Sequence, residues 1–208
     1  MVKIKVCGIT REEDAELLVG LGVDAMGLMF YENSPRWISL EQARTLSAYV
    51  VGRVLRVGVF VNESRARVRE LIDGVGLDVL QFHGEEDDAD CASFGLPYLK
   101  TVRVRGPVDG VELQARFPNA CALLLDTYVE DLPGGTGKAF DWSYWPQPST
   151  GKFMLAGGLT PDNVRGAIET VAPWGVDVSG GVEGTTRGQK DAERVARFVE
   201  EVRHVEPR

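Results

Sequence analysis

The sequence predicts an α/β protein: eight parallel β-strands, each followed by a helix, closed into a single (β/α)8 TIM barrel. Three observations predict it. Eight short apolar runs, rich in β-branched residues, recur along the chain. Their starts fall 20 to 31 residues apart, room for one crossover helix each time. Helical patterns fill the intervals, and strands alternating with helices build a parallel sheet under a helical cover. The 208 residues suit one domain spanning 1–208, since such barrels run to roughly 200–250 residues as one unit.

In chain order the expected strands are "KIKVCGI" (3–9), "AMGLMF" (25–30), "VLRVGVFV" (54–61), "DVLQFH" (78–83), "YLKTVRV" (98–104), "CALLLDT" (121–127), "KFMLAGG" (152–158) and "GVDVSGG" (175–181). The connectors carry helix-start signals. Thr10 stands three residues before Glu13, and Ser39 three before Gln42, both capping-box spacings. "TPDN" reads as Thr160 at the N-cap with Pro161 in the first helical position. Ala15, Leu18 and Val19, and later Val195, Phe198, Val199 and Val202, recur at helical spacing. The acidic "GEEDDAD" (84–90) reads as a solvated first helical turn favoured by the helix dipole. Two glycines and a proline crowd the start of the fifth helix, the least regular of the set. The segment 128–145 reads as a long loop with a short helix at most. Gly134, Gly135 and Gly137 would let it hinge over a ligand.

Composition narrows the function. Hydrophobic residues make up 44% and charged residues 26%, ordinary globular usage. The net charge of −8 excludes nucleic acid as a main partner, because phosphate-backbone contacts need clustered Lys and Arg. A single small anion needs only a few local donors and stays allowed. No apolar run reaches the roughly 18 residues of a membrane span, and the N-terminus lacks an export signal, so the expected location is the cytoplasm. Cys7, Cys91 and Cys121 are odd in number and widely spaced, and only His83 and His204 are present, so neither a disulfide framework nor a metal site is expected.

In a barrel of this kind the active site lies at the C-terminal ends of the strands. Strand alternation sorts the side chains there. Lys3, Lys5 and Cys7 share a face of the first strand, opposite the apolar Ile4 and Val6, and are expected to point inward. Gln81 and His83 do so on the fourth strand, Asp126 on the sixth, and Asp177 and Ser179 on the eighth. Cys7, His83, Asp126 and Ser179 then end their inward sets at one rim. Gln81 and His83 are candidate substrate contacts. Cys7 reads either as a space-filling thiol or as a tunable base. Asp126 is a candidate acid or a loop cap. Asp177 either meets a sugar hydroxyl or satisfies Lys5 or Lys3. Arg36, in "SPRWIS", suits a carboxylate gripped through two N–H groups. Lys100 on the fifth strand reads as an inward structural lysine or a Schiff-base residue. Two glycine-rich turns, Gly157–Gly158 and Ser179–Gly180–Gly181, follow the seventh and eighth strands, where barrels of this kind often bind phosphate through backbone N–H groups. "GGTG" (134–137) lacks the spacing of a nucleotide-binding P-loop.

The ordered set "KVCGIT", "SPRWIS", "RVGVFVN", "VLQFHGEE", "LLLDT", "GGTGKAFDW", "LAGGLTPDNV" and "GVDVSGGVE…KD" resembles the phosphoribosylanthranilate isomerases, and covers residues 3 to about 191. The resemblance implies a cofactor-free Amadori rearrangement in tryptophan biosynthesis, from N-(5-phosphoribosyl)anthranilate to 1-(2-carboxyphenylamino)-1-deoxyribulose 5-phosphate. It implies that Asp126 is the general acid opening the ribose ring and Cys7 the general base taking the proton alpha to the iminium. Arg36 would hold the anthranilate carboxylate, the two glycine turns the phosphate, and Asp177 the ribose hydroxyls. The family occurs as monomers and homodimers. This sequence departs from the family's pattern where Gly180 replaces a second serine and "EGTTRGQKD" replaces a proline-containing stretch. The alternatives are an aldolase using Lys100 and a silent phosphometabolite-binding protein.

Overall fold

A computed structural model describes residues 1–127, 141–146 and 151–205. Eight parallel strands close on themselves in chain order. They are β1 (Lys3–Cys7), β2 (Ala25–Met29), β3 (Leu55–Phe60), β4 (Val79–Phe82), β5 (Tyr98–Val104), β6 (Ala122–Thr127), β7 (Phe153–Leu155) and β8 (Gly175–Val178). The seam between β8 and β1 pairs Lys5 with Asp177. Helices α1 (Glu12–Gly20), α2 (Leu40–Val50), α3 (Arg65–Val75), α4 (Asp88–Ala92), α5 (Gly110–Arg116), α6 (Val164–Val171) and α7 (Ala192–Arg203) cover the sheet. Between β6 and β7 the described residues form one 3-10 turn, Trp142–Tyr144. The expected hinged loop at 128–140 lies outside the described residues.

Alternation splits the apolar side chains into two layers. Outward residues such as Ile4, Val6, Leu80, Phe82 and Val176 pack under the helices. Inward residues Val57, Leu99, Leu124 and Met154 fill the barrel interior. Two of the strands that supply polar inward residues of the site, β1 and β8, carry Ile4, Val6 and Val176 on their other face, packed under the helices.

Local signals decide where helices begin, and some differ from expectation. Ser39 caps α2 with the full reciprocal box: its hydroxyl accepts from the Gln42 amide, and the Gln42 side chain accepts from the Ser39 amide. Thr10 makes no such box. Arg11 occupies the α1 cap without a side-chain bond, and the Thr10 hydroxyl instead donates to the Gly188 carbonyl. Thr160 does not open α6 directly. A turn at 161–163 intervenes, and the Asn163 carboxamide accepts from the Thr160 amide. Helix α5 forms despite its crowded start, because the Asp109 carboxylate accepts from the amides of Val111 and Glu112. The acidic 84–90 segment is more engaged than a solvated turn. Glu86 pairs with Lys100 at 2.9 Å, and Asp88 accepts from the Tyr98 hydroxyl and the Asn119 amide.

Two lysines sit elsewhere than expected. Lys3 does not lie inside the barrel. It opens β1 at the bottom mouth, half exposed, and reaches Asp24 at 2.8 Å, because a long stem at a strand's first residue can carry its ammonium to water. Lys100 is not inward. Leu99 and Thr101 take the inner face of β5, so Lys100 points under the helices, where it donates to the Gly84 carbonyl (2.7 Å) and to Glu86. A Schiff-base role is thereby excluded, since the amine faces away from the barrel interior.

Replacing Ser39 with Ala should lower the unfolding free energy in urea by about 1 kcal/mol with an unchanged denaturant slope. Replacing Thr10 with Ala should leave helix α1 intact by circular dichroism.

Candidate active site

A cavity of about 600 Å³ opens at the C-terminal ends of the strands. Cys7, Arg36, Gln81, His83, Asp126 and Asp177 line it, together with the turns Gly157–Gly158 and Ser179–Gly180–Gly181. Every site residue expected from the sequence therefore meets one space. A more open groove of about 670 Å³ lies over α1 and α2, but Glu12, Glu13, Glu16 and Glu41 make it a poor host for an anion.

Cys7 ends β1 and is 7% exposed. Its sulfur lies over Gly27 of β2, where a Cβ would sit 2.7 Å from Sγ, so the glycine makes the thiol's room. Burial pushes the thiol up from its ordinary range, and Asp177 adds to the push. Lys5 and Lys190 oppose it as nearby positive charges. Lys5 is one inward step below on the same strand and fully buried. Its Nζ lies 2.9 Å from Asp177 Oδ1. Burial alone would favour a neutral amine, but that carboxylate and the neighbouring Cys7 together outweigh it and raise the Lys5 pKa. The ambiguity over Asp177 resolves in part: it satisfies Lys5, not Lys3, while still lining the cavity.

Across the barrel, Asp126 ends the inward set of β6 and is 7% exposed. His83 Nε2 stands 3.5 Å from Asp126 Oδ2, near enough for an ion pair when the ring is protonated and longer than an ordinary hydrogen bond. The His83 amide donates to the Phe60 carbonyl at 2.8 Å, which fixes the ring's origin at the rim. Gln81 is buried beneath it, its amide nitrogen 3.2 Å from Thr101 Oγ1 and its carbonyl oxygen without a hydrogen-bond partner among the described residues.

The glycine turns face the cavity from β7 and β8. Gly157 and Gly158 both take positive φ, at 83° and 65°. A Cβ on Gly181 would lie 1.8 Å from the Leu159 carbonyl oxygen, so the two turns can pack back to back only with glycine there. Among the described residues the amides of Gly157, Gly158, Gly180 and Gly181 meet no acceptor. Free amides grouped in this way form an anion cradle. The Ser179 hydroxyl is already used: it donates to the Cys7 carbonyl at 3.0 Å and ties β8 to β1.

Arg36 reaches the cavity from the β2–α2 connection, and it is not alone there. Glu183 accepts from its Nε and Nη2 at 2.6 and 2.8 Å. Lys190 Nζ lies 3.1 Å from the same carboxylate. Burial would push Glu183 up, but Arg36 and Lys190 hold it below the usual carboxylate range. Sequence reasoning singled out neither Glu183 nor Lys190 for a role. The available signal was their position: both belong to the "GVE…KD" stretch just past the last strand, where charge without an obvious partner has to be accounted for. The departing segment folds as a hairpin closed by an antiparallel bridge between these two residues.

Comparison with known proteins matches this geometry. Residues 4–201 fit the family model for N-(5'-phosphoribosyl)anthranilate (PRA) isomerase. The chain belongs to the N-(5'-phosphoribosyl)anthranilate isomerase family. It is 52% identical over 202 residues to that isomerase from Pseudomonas aeruginosa (strain LESB58), covering 97% of this chain and 95% of the relative. The phosphoribosyl anthranilate isomerase of Thermus thermophilus superposes with a TM-score of 0.87 at 32% identity, covering 97% of this chain and 98% of that one. A family structure in complex with reduced 1-(o-carboxyphenylamino)-1-deoxyribulose 5-phosphate superposes at 0.82 with 36% identity, covering 99% and 100%. This chain is accordingly an enzyme of that isomerisation, a step of tryptophan biosynthesis, on a TIM barrel. No helix among the described residues is long and apolar enough to cross a membrane.

Replacing Lys5 with Met should destabilise the fold by about 3–5 kcal/mol, because Asp177 is left buried without its counter-charge. The same change at exposed Lys3 should cost less than about 1 kcal/mol. Chemical denaturation of both variants at neutral pH checks the difference.

Proposed function

We propose that Asp126 and Cys7 are the general acid and general base of this rearrangement. The observation that carries the reading is their placement: each ends an inward set of side chains at the same cavity, one a carboxyl on β6, the other a thiol on β1. Asp126 gives a proton to the ribose ring oxygen while the anilino nitrogen pushes its lone pair toward C1. The ring C–O bond breaks and an iminium forms. Cys7, as thiolate, takes the proton from C2, and the electrons neutralise the iminium nitrogen to give an enolamine. Tautomerisation of that enol yields the aminoketose.

The surroundings support these roles. The Cys7 thiol is neutral at rest because it is buried, and Lys5 and Lys190 supply positive charge that eases its ionisation during turnover. Arg36 meets the anthranilate carboxylate, and the Gly157–Gly158 and Ser179–Gly181 turns cradle the phosphate through their amides. Asp177 and Gln81 reach ribose hydroxyls from below, and His83 orders the acid side of the site. All these residues come from one chain, so a monomer carries a complete site whether or not two chains pair. A working thiol suits a reducing compartment, which supports a cytoplasmic location.

Steady-state fluorescence assays of Cys7→Ser and Asp126→Asn should each show kcat reduced by at least about 10²-fold. Full activity in both variants would overturn the assignment. The reactivity of the thiol has a definite pH dependence. Because burial raises the Cys7 pKa, little thiolate exists in the free enzyme at neutral pH, and alkylation of Cys7 by iodoacetamide, followed by mass spectrometry, should accelerate as pH rises toward the alkaline side.

A further inference from the structure

Glu183 and Lys190 transfer no proton in the proposed chemistry, yet both are buried at the mouth of the site. We propose that they form a charge-compensated bracket that aims Arg36, and that this bracket governs recognition of the carboxylate on the substrate's aromatic ring. The inference rests on the reading that Arg36 meets that carboxylate.

The first support is geometric. Arg36 engages both oxygens of Glu183 through Nε and Nη2, at 2.6 and 2.8 Å. A guanidinium has five N–H groups in a fixed fork, so three remain: both on Nη1 and the second on Nη2. Among the described residues none of these three meets an acceptor. The side chain is only 12% exposed, and it lines the cavity. Its stem and head are confined by two glycines. A Cβ on Gly8 would lie 2.4 Å from Arg36 Cδ, and a Cβ on Gly180 would lie 3.2 Å from Nη2. Gly180 is the position where this sequence carries no serine. A side chain there would press on the guanidinium that Glu183 holds.

The second support is charge. An arginine paired with one carboxylate is neutral as a unit and a weak anion receptor. Lys190 changes that balance. Its Nζ is wholly buried and sits 3.1 Å from Glu183 Oε1 and 3.1 Å from the Ser179 carbonyl. Burial lowers the Lys190 pKa and the Glu183 carboxylate opposes that shift; with Lys190 protonated, two cations share one anion and the cluster keeps a net positive charge beside the cavity. The lysine is itself anchored at its backbone. Its amide donates to Asp14 at 3.2 Å, and its carbonyl accepts from Arg11 at 2.8 Å. The bridge that closes the hairpin sets Glu183 and Lys190 side by side. Orientation and charge are thus both supplied from outside Arg36.

The test measures binding of two ligands to the intact enzyme by calorimetry. One is the reduced product, 1-(o-carboxyphenylamino)-1-deoxyribulose 5-phosphate in its reduced form. The other is the same molecule without the ring carboxylate. Glu183→Gln keeps the shape, leaves one acceptor oxygen for the two Arg36 N–H groups and makes the cluster more positive, so any weakening it causes comes from lost aim rather than lost charge. It should weaken the carboxylated ligand by about tenfold while changing the other by less than about threefold. Substrate KM should rise correspondingly, with a smaller change in kcat. Gly180→Ala, which crowds Nη2 without touching any charge, should produce the same selective loss at smaller size, and it stands in if Glu183→Gln does not fold. Equal weakening of both ligands, no weakening, or tighter binding of the carboxylated one would overturn the bracket. Arg36→Ala separates the two levels. If it abolishes the carboxylate preference while Glu183→Gln preserves it, only the bracket falls. If Arg36→Ala leaves the preference intact, the reading of Arg36 falls and the bracket with it.

Discussion

Lys5 and Asp177 meet 2.9 Å apart, deep in the barrel, where the first strand pairs with the last. Both are nearly excluded from water, so each depends on the other: an unpaired charge at that depth would cost several kcal/mol. Apolar residues of similar volume would often serve stability as well or better. What they would not supply is a positive charge one inward step beneath Cys7. The pair closes the seam and at the same time sets the electrostatics of the residue above it. Ser179 adds a second tie across that seam by donating to the Cys7 carbonyl. The thiol's height and surroundings follow from these two contacts.

Space in the site is made by glycines whose neighbours are functional. Gly27 leaves room for the Cys7 sulfur, Gly8 for the Arg36 stem, and Gly181 for the close approach of the β7 and β8 turns. In each case a single Cβ would meet an atom closer than van der Waals contact allows. The requirement at Gly8 is double, because it also takes a positive φ of 74°. The site is therefore specified by absent side chains as much as by those present.

Much of this was legible along the chain. Period-two alternation on β1, β4, β6 and β8 placed Cys7, Gln81, His83, Asp126 and Asp177 on one inner face, because a strand's two faces differ in what covers them. The same rule misled at Lys100. On β5 both faces carry apolar and polar residues, and the pattern did not tell which one the helices cover. Lys3 shows another limit. It shares the face of Lys5 and Cys7, but at the strand's first residue the side chain can leave the barrel for Asp24 and water. Cap signals were ambiguous for a similar reason: Ser39 and Thr10 have the same spacing to an acceptor, yet the Thr10 hydroxyl is drawn off by a loop far away in the chain.

By itself, then, the sequence determined the alternation of strands and helices, the barrel class, the two glycine turns and the identity of the residues on the rim. These depend on periodicity and local backbone preference, which are written in neighbouring residues. Tertiary structure alone decided the partners. Glu183, which no sequence pattern linked to Arg36, lies 147 residues from it, and Asp177, for which alternation left Lys3, Lys5 or a sugar hydroxyl open, meets Lys5 across 172 residues. No local pattern says which buried charges will meet across a closed barrel, because an ion pair is set by three-dimensional distance and burial.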